Sequence, residues 1–406
     1  MKTTATAFGT VAILLIIVAL IVIFLAGVAA ARTNSPPSDR ESRGARDVCE
    51  RYASSSSSRI PIPPVCISPP PLPPSSGFVG NIVDDAVRTV QRIHVIGSYA
   101  FLATFGTGSS GSGLAVLDIS SPTNPSIAAF LVANDLLGVR DMAIAGNHAY
   151  LTGDAKGLVV VDISDPRSPF IVSSAAYSGQ ICPAGISVRD GYAFVVDRCS
   201  NRLTAFDITD PANPIQGLSI QNNTEFTQLS TIYVGDDYAY ISGSGMGKVA
   251  VVDVSDPDDP SVFRVVGYVG VGDVQSPRSI QIVEGYLYVA DSAAHALLVE
   301  RLDSATSTTP VGRLPNINAL QVQVVGGQVY VATSPSSPPN YPPFGVMVID
   351  VSTPSNPTLI KNIITATCTM SGSSMTCDGL IPFRIFADNS YVYVAGGKEF
   401  AIVDPD

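Results

Sequence analysis

The residues with chemistry to offer in this chain are six cysteines, three histidines and a scatter of arginines. The cysteines fall as three local pairs: Cys49 with Cys66, Cys182 with Cys199, and Cys368 with Cys377. One pair can be tested by register. In "CPAGISVRDGYAFVVDRC" the turn is Asp190-Gly191, so Arg189 faces Tyr192. Unbroken alternation back along the hairpin then sets Cys182 opposite Cys199 as a non-hydrogen-bonded pair, about 4.5 Å between Cα atoms. That separation suits a disulfide, and a disulfide requires an oxidising compartment. The histidines, His94, His148 and His295, stand at unrelated positions, and no HExxH, CxxC or GxSxG is present. No His-built metal site is expected. The loop aspartates lack calcium-ligand spacing, so no cofactor is expected, with structural calcium left open. Gly106, Gly108 and Gly111 spell GxGxxG, but a strand rather than a helix follows. The phosphate-cradling helix end is missing, so this reads as a loop.

The elements that must carry these residues are written in two recurring motifs. One is "GLVVVDISDPRSP" from Gly157, with relatives at "LAVLDISSPTNP" from Leu114, "LTAFDITDPANP" from Leu203, "VAVVDVSDPDDP" from Val249 and "VMVIDVSTPSNP" from Val346. The other precedes each copy and reads as two short β-rich runs around a turn dipeptide, as in "ISVRDGYAFVV" from Ile186 and "IQIVEGYLYVA" from Ile280. Most of these dipeptides tolerate positive φ, as two-residue hairpins need. The strand "LVVVD" comes third. Its Asp can accept from backbone amides of the next turn, and the prolines stop the strand. A fourth apolar run follows. The third-strand aspartates sit at 118, 162, 207, 253, 303, 350 and 404. Four antiparallel strands at a period near 45 residues, repeated seven times, predict an all-β, seven-bladed propeller with four-stranded blades. The fifth unit is degenerate, "VERLDSATSTTP". The chain ends on a third strand, "FAIVD", so the segment near "GFVGNIVDD" is expected to supply the missing outermost strand and close the ring.

On these motifs the sequence resembles the LVIVD-repeat family, named for a strand such as "LVVVD" here, over residues 78–406. The resemblance implies a propeller on exported or surface proteins and no settled activity. The absence of Trp argues against propellers that depend on a Trp in each blade.

Three parts are expected: residues 1–31 as signal anchor or signal peptide, 32–76 as a Ser/Pro-rich stalk, and 77–406 as the propeller. Residues 7–31 carry no charge and are long enough to span a hydrocarbon core. Their ending, "AGVAAA", would also suit a signal peptidase. Arg32, Arg40, Arg43 and Arg46 just beyond would favour a cytoplasmic carboxyl side. The cysteine pairing outweighs that count and places the propeller outside the cytoplasm, at the cell surface or secreted, with a single-pass anchor. The stalk's prolines favour extended polyproline II. The chain has 23 basic and 34 acidic side chains. Taking away the six and four of residues 32–76, and Lys2, leaves 16 and 30. A body this acidic repels nucleic acid and anionic membrane surfaces.

In propellers of this strand order the innermost strand starts on the top face, where the long loops 106–113, 333–345 and 367–377 also belong. Arg92, Arg140 and Arg384 stand near the start of the innermost strand in blades one, two and seven, and Arg278 in blade four. Together they could hold a carboxylate or sulfate, or they could neutralise neighbours such as Asp141. Tyr341 and Phe344 are candidate apolar anchors. The leading expectation is a non-catalytic surface module that binds a protein or glycan on its top face. A channel-centred hydrolase- or lactonase-like enzyme and a structural envelope component are the alternatives.

Overall fold

The two-residue turns have the positive φ angles their dipeptides allow. Asp190 and Gly191 have φ of 48° and 82°, Glu284 and Gly285 of 51° and 78°, and Gly326 and Gly327 of 57° and 77°. Such backbone matches the right-handed twist of the strands on either side. The computed structural model describes residues 78–106, 112–176, 182–259, 261–333, 344–371 and 374–405. The expected anchor and stalk, with Cys49 and Cys66, lie outside the described residues, as do residues 107–111 and Tyr341. Among the described residues no helix is long and apolar enough to cross a membrane.

Among these residues the strands form seven antiparallel sheets. The first blade runs outward through Val90–Ile96, Tyr99–Thr104, Gly113–Asp118 and Ser126–Val132. The next five repeat that sequential order. The innermost strands of neighbouring blades contact one another all the way round. The seventh blade draws Arg384–Ala387, Val392–Gly396 and Glu399–Val403 from the carboxyl end and takes its outermost strand, Phe78–Val83, from the other. Phe78 lies opposite Val403 and Val83 opposite Glu399, so the ring closes as expected. The closing strand starts on the face opposite the innermost strands' first residues and runs toward them.

Blade six departs from four strands. Its fourth strand, Thr358–Ser371, continues into a hairpin with a fifth, Ser374–Gly379. Residues 367–377 are therefore mostly strand rather than a loop. The register sets Cys368 opposite Cys377, and their side chains lie outside the described set.

Seven apolar clusters fill the spaces between adjacent blades. Leu102, Leu117, Tyr393 and Phe400 meet between blades seven and one, and Phe101, Val116, Met142 and Leu151 between one and two. Each sheet is packed on both faces. This explains why "LVVVD" is apolar throughout rather than alternating, and why its four apolar residues are all buried.

The aspartate that ends the third strand caps the turn. Asp118, Asp162, Asp207, Asp253 and Asp350 each accept from the backbone N–H two residues on. Blade five lacks this turn: Ser304 pairs with Ser307 in a tight hairpin, and Asp303 accepts instead from Arg301 and Thr309.

One feature escaped the sequence pattern. In six innermost strands the register slips by one residue near the start, for instance between Val90 and Arg92. The extra residues are Gln91, Arg140, Ala184, Ser230, Arg278 and Leu320. A bulge leaves its extra residue unpaired and re-aims its side chain.

Candidate functional site: the channel mouth

The bulged residues line a cavity of about 660 Å³ where the innermost strands begin. Phe383 joins them from blade seven; its N–H donates to the Ala395 carbonyl just before Arg384 pairs with Ala395. The next residues form a second row: Arg92, Asp141, Thr231, Ser279, Gln321 and Arg384, all lining the cavity. In blade three this position is Gly185, where an added Cβ would lie 3.2 Å from the Thr231 Cα.

The second row and the residues two further along tie most blades to a neighbour. Arg92 Nε and Nη2 donate to both oxygens of Asp141, at 2.5 and 2.8 Å. Asp141 also accepts from the N–H groups of Met142 and Ile186, at 2.9 and 3.0 Å. Its carboxylate thereby joins blades one, two and three. Ser279 accepts from Val322 N–H, and Gln281 from Val324 N–H. Gln321 both donates to and accepts from the Ile385 backbone at 3.0 Å. Arg384 Nε donates to the Gln91 carbonyl at 2.5 Å. The innermost strands lie edge-on to their neighbours without a shared ladder, and these side chains supply cross-blade bonds in its place.

The four arginines therefore divide. Arg92 neutralises Asp141; burial works against its charge, but the carboxylate prevails and its pKa is raised. Arg384 donates only to carbonyl oxygens, of Gln91 and Phe383. Removal from water, and then the charge of Arg92, bring its pKa down to about 10. Arg140 pairs with Asp154 at 2.8 Å, both partly exposed, and lies 4.5 Å from the Phe105 ring centroid. Arg278 stands in blade five, not blade four, because its strand, Pro277–Val283, opens the fifth sheet. It is exposed and has no carboxylate partner among the described residues.

Sequence reasoning missed a fifth arginine. Arg198 is exposed at the mouth, also without a carboxylate partner among the described residues. Its N–H donates to the Cys182 carbonyl, and it adjoins the disulfide between Cys182 and Cys199. That bond is present, but the pairing behind its expectation is not. The bulge at Ala184 shifts the register, so Pro183 rather than Ala184 lies opposite Asp197, and the two Cα atoms are 5.3 Å apart. Phe344 is 6% exposed and paired with Ala366 inside the sheet, so it is no surface anchor. Among the described residues of the mouth, the exposed aromatic is Phe383, at 45%.

General acid–base chemistry has little to draw on here. Among the described residues Asp141 is the single acid of the lining, and an arginine and two amides occupy it. His94 bonds the Met142 carbonyl at 3.1 Å, and burial, then the charge of Arg92, push its pKa down to about 4. Among the described residues no three His, Cys, Asp or Glu side chains could hold a metal ion.

Solved structures share this fold. A putative 6-phosphogluconolactonase from Bacteroides fragilis superposes with a TM-score of 0.53 at 10% identity, covering 70% of this chain and 84% of that one. The Cps50 (Swd1) β-propeller domain of Myceliophteria thermophila gives 0.57 at 9% identity, covering 81% and 99%. The computationally designed Ika8 protein gives 0.54 at 8%, with the same coverage. At such identities the likeness is one of fold. No curated protein matches the chain. The LVIVD-repeat model matches residues 87–130, 138–176, 184–221, 229–266, 274–298, 318–365 and 384–404, stopping short in the blade that lacks the capped turn, and the chain belongs to the LVIVD-repeat family.

Proposed function

We propose that this propeller is a non-catalytic binding module that receives an anionic ligand at its channel mouth. One observation carries the reading: Arg198 and Arg278 reach the mouth of an acidic protein without a carboxylate partner among the described residues. Guanidinium groups present a planar fork that matches carboxylate and sulfate oxygens. A cavity of this size lies within the range of small-ligand sites. The hydrolase-like alternative would need a free acid or base near that point, and Asp141 and His94 are both engaged.

The Cys182–Cys199 bond supports a location outside the cytoplasm. Residues 7–31 would tether the propeller there through the Ser/Pro-rich stalk. The closing strand begins at Phe78, on the face opposite the mouth.

The test is retention of the purified protein on arrays of acidic and neutral ligands, both glycans and peptides. Wild-type protein should bind acidic members, and Arg198→Ala/Arg278→Ala should lose them with its melting temperature unchanged. Equal binding by the double variant, or binding to neutral ligands alone, would remove the mouth as an anion site.

A further inference from the structure

Resting on that reading, we propose that the ligand is an acidic sugar, with a carboxylate on a pyranose ring. The mouth combines three kinds of group suited to the three kinds of surface such a sugar presents. For the carboxylate there are Arg278 and Arg198. For the apolar C–H face of the ring there is Phe383, 45% exposed, with Leu320 on the blade between it and Arg278. For the hydroxyls there are uncharged polar groups. Gln228 accepts through Oε1 from the Ser244 hydroxyl and keeps its amide N–H groups. Ser279 Oγ accepts from Val322 N–H and keeps its own proton to donate.

The same inventory disfavours an acidic peptide. Many extended peptides are held by main-chain bonds to an open strand edge, and here side chains of the adjacent blade already bond that edge of the innermost strands at Ile186, Val322, Val324 and Ile385. Nor, among the described residues, does it offer the helix amino terminus that commonly receives phosphate. Arginines beside neutral hydrogen-bonding groups and an exposed aromatic, around a cavity open to solvent at its mouth, fit a ring-shaped polyol with one fixed charge.

The experiment is calorimetric titration of the full chain in detergent. The probes are uronic-acid and sialic-acid oligosaccharides, matched neutral oligosaccharides, and a glutamate-rich peptide of equal charge. An acidic oligosaccharide should bind at least tenfold tighter than its neutral counterpart. Loss of one charge-assisted contact is worth about 10- to 100-fold. Arg278→Ala should weaken the acidic sugar by that factor and reduce the preference over the neutral one. Phe383→Ala should weaken both sugars and leave the preference intact. Arg167→Ala, on the opposite face, should change nothing. If the peptide binds in an Arg278-dependent manner and no acidic sugar does, the sugar assignment falls while the anion-binding reading stands. If no anionic probe binds, both fall. Sugar binding that survives Arg278→Ala and Phe383→Ala in folded protein would also overturn the assignment.

Discussion

Arg92 and Asp141 face one another across the boundary between the first two blades, joined by two hydrogen bonds of 2.5 and 2.8 Å, with the Asp141 side chain only 4% exposed. Removing one partner of such a pair leaves the other charge buried and alone, at a cost of about 3–5 kcal/mol. Asp141→Ala should therefore destabilise by about that amount, since two backbone amides lose their acceptor as well. Replacing both residues with apolar ones should cost less than the two single changes summed. Urea denaturation of the two single variants and the double variant measures this coupling.

Much of this was legible in the sequence, but not the part that makes the site. Turn dipeptides, capped aspartates and a regular period are local signals, so the blades and the strand exchange could be read directly. Arg278 and Ala184 show where local reading stops. A bulge leaves no mark in the composition of a strand, because the inserted residue can be of any type once it is freed from pairing. The disulfide was foreseen through a register that this bulge breaks. It forms nonetheless, since a shift of one residue still leaves the Cα atoms at 5.3 Å. Arg92 and Arg140 looked alike in the sequence. Only the structure shows that the first is bound to Asp141 of the neighbouring blade and the second to Asp154 of its own.

The closing strand is expected to be essential although it lies far in sequence from its partners. Deleting residues 77–84 should lower the melting temperature and expose blade seven to proteolysis. A milder test is Gly80→Val. A Cβ at Gly80 would sit 2.2 Å from the Pro122 carbonyl oxygen of blade one, and overpacking of this kind costs about 1–3 kcal/mol. Melting curves matching the parent for both variants would disprove closure through this strand.

Acid should weaken the fold through the turns. The pKa values of Asp118, Asp162, Asp207 and Asp350 are depressed, first by side-chain hydroxyls of Ser120, Ser164, Thr209 and Ser352 and then by the backbone N–H groups of the same residues. A depressed folded-state value gives stability that is full above the unfolded carboxylate pKa, about 3.9, and is lost as pH falls through the lower folded value. Glu300 and Glu399 act oppositely. Burial raises both, so their contribution is present at low pH and lost as pH rises through the raised values. Melting temperature should thus fall on acidification below about pH 4, and Asp207→Asn should make that limb shallower.

Reduction of the Cys182–Cys199 bond, which spans 17 residues, should cost about 3 kcal/mol by the chain-entropy estimate for a loop near this length. It should also loosen Arg198, whose neighbour is Cys199. Cys199→Ser is expected to weaken anionic ligands more than a melting shift of the same size produced by Gly80→Val. Titration of both variants with one acidic probe makes the comparison. Equal effects would mean that the disulfide stabilises without positioning Arg198.

The bulge row has a consequence for how such propellers diversify. Six bulged positions carry Gln, Arg, Ala, Ser, Arg and Leu, and Phe383 stands beside them in the seventh blade. The strands on either side are constrained by the packed interfaces they face. A residue outside the ladder and facing the cavity is free of the pairing constraint. The fold therefore separates a packed frame from a rim of positions that the strand ladder does not constrain. A lineage, or a combinatorial library, could rewrite the chemistry of that rim one residue at a time while the blades beneath it stay the same.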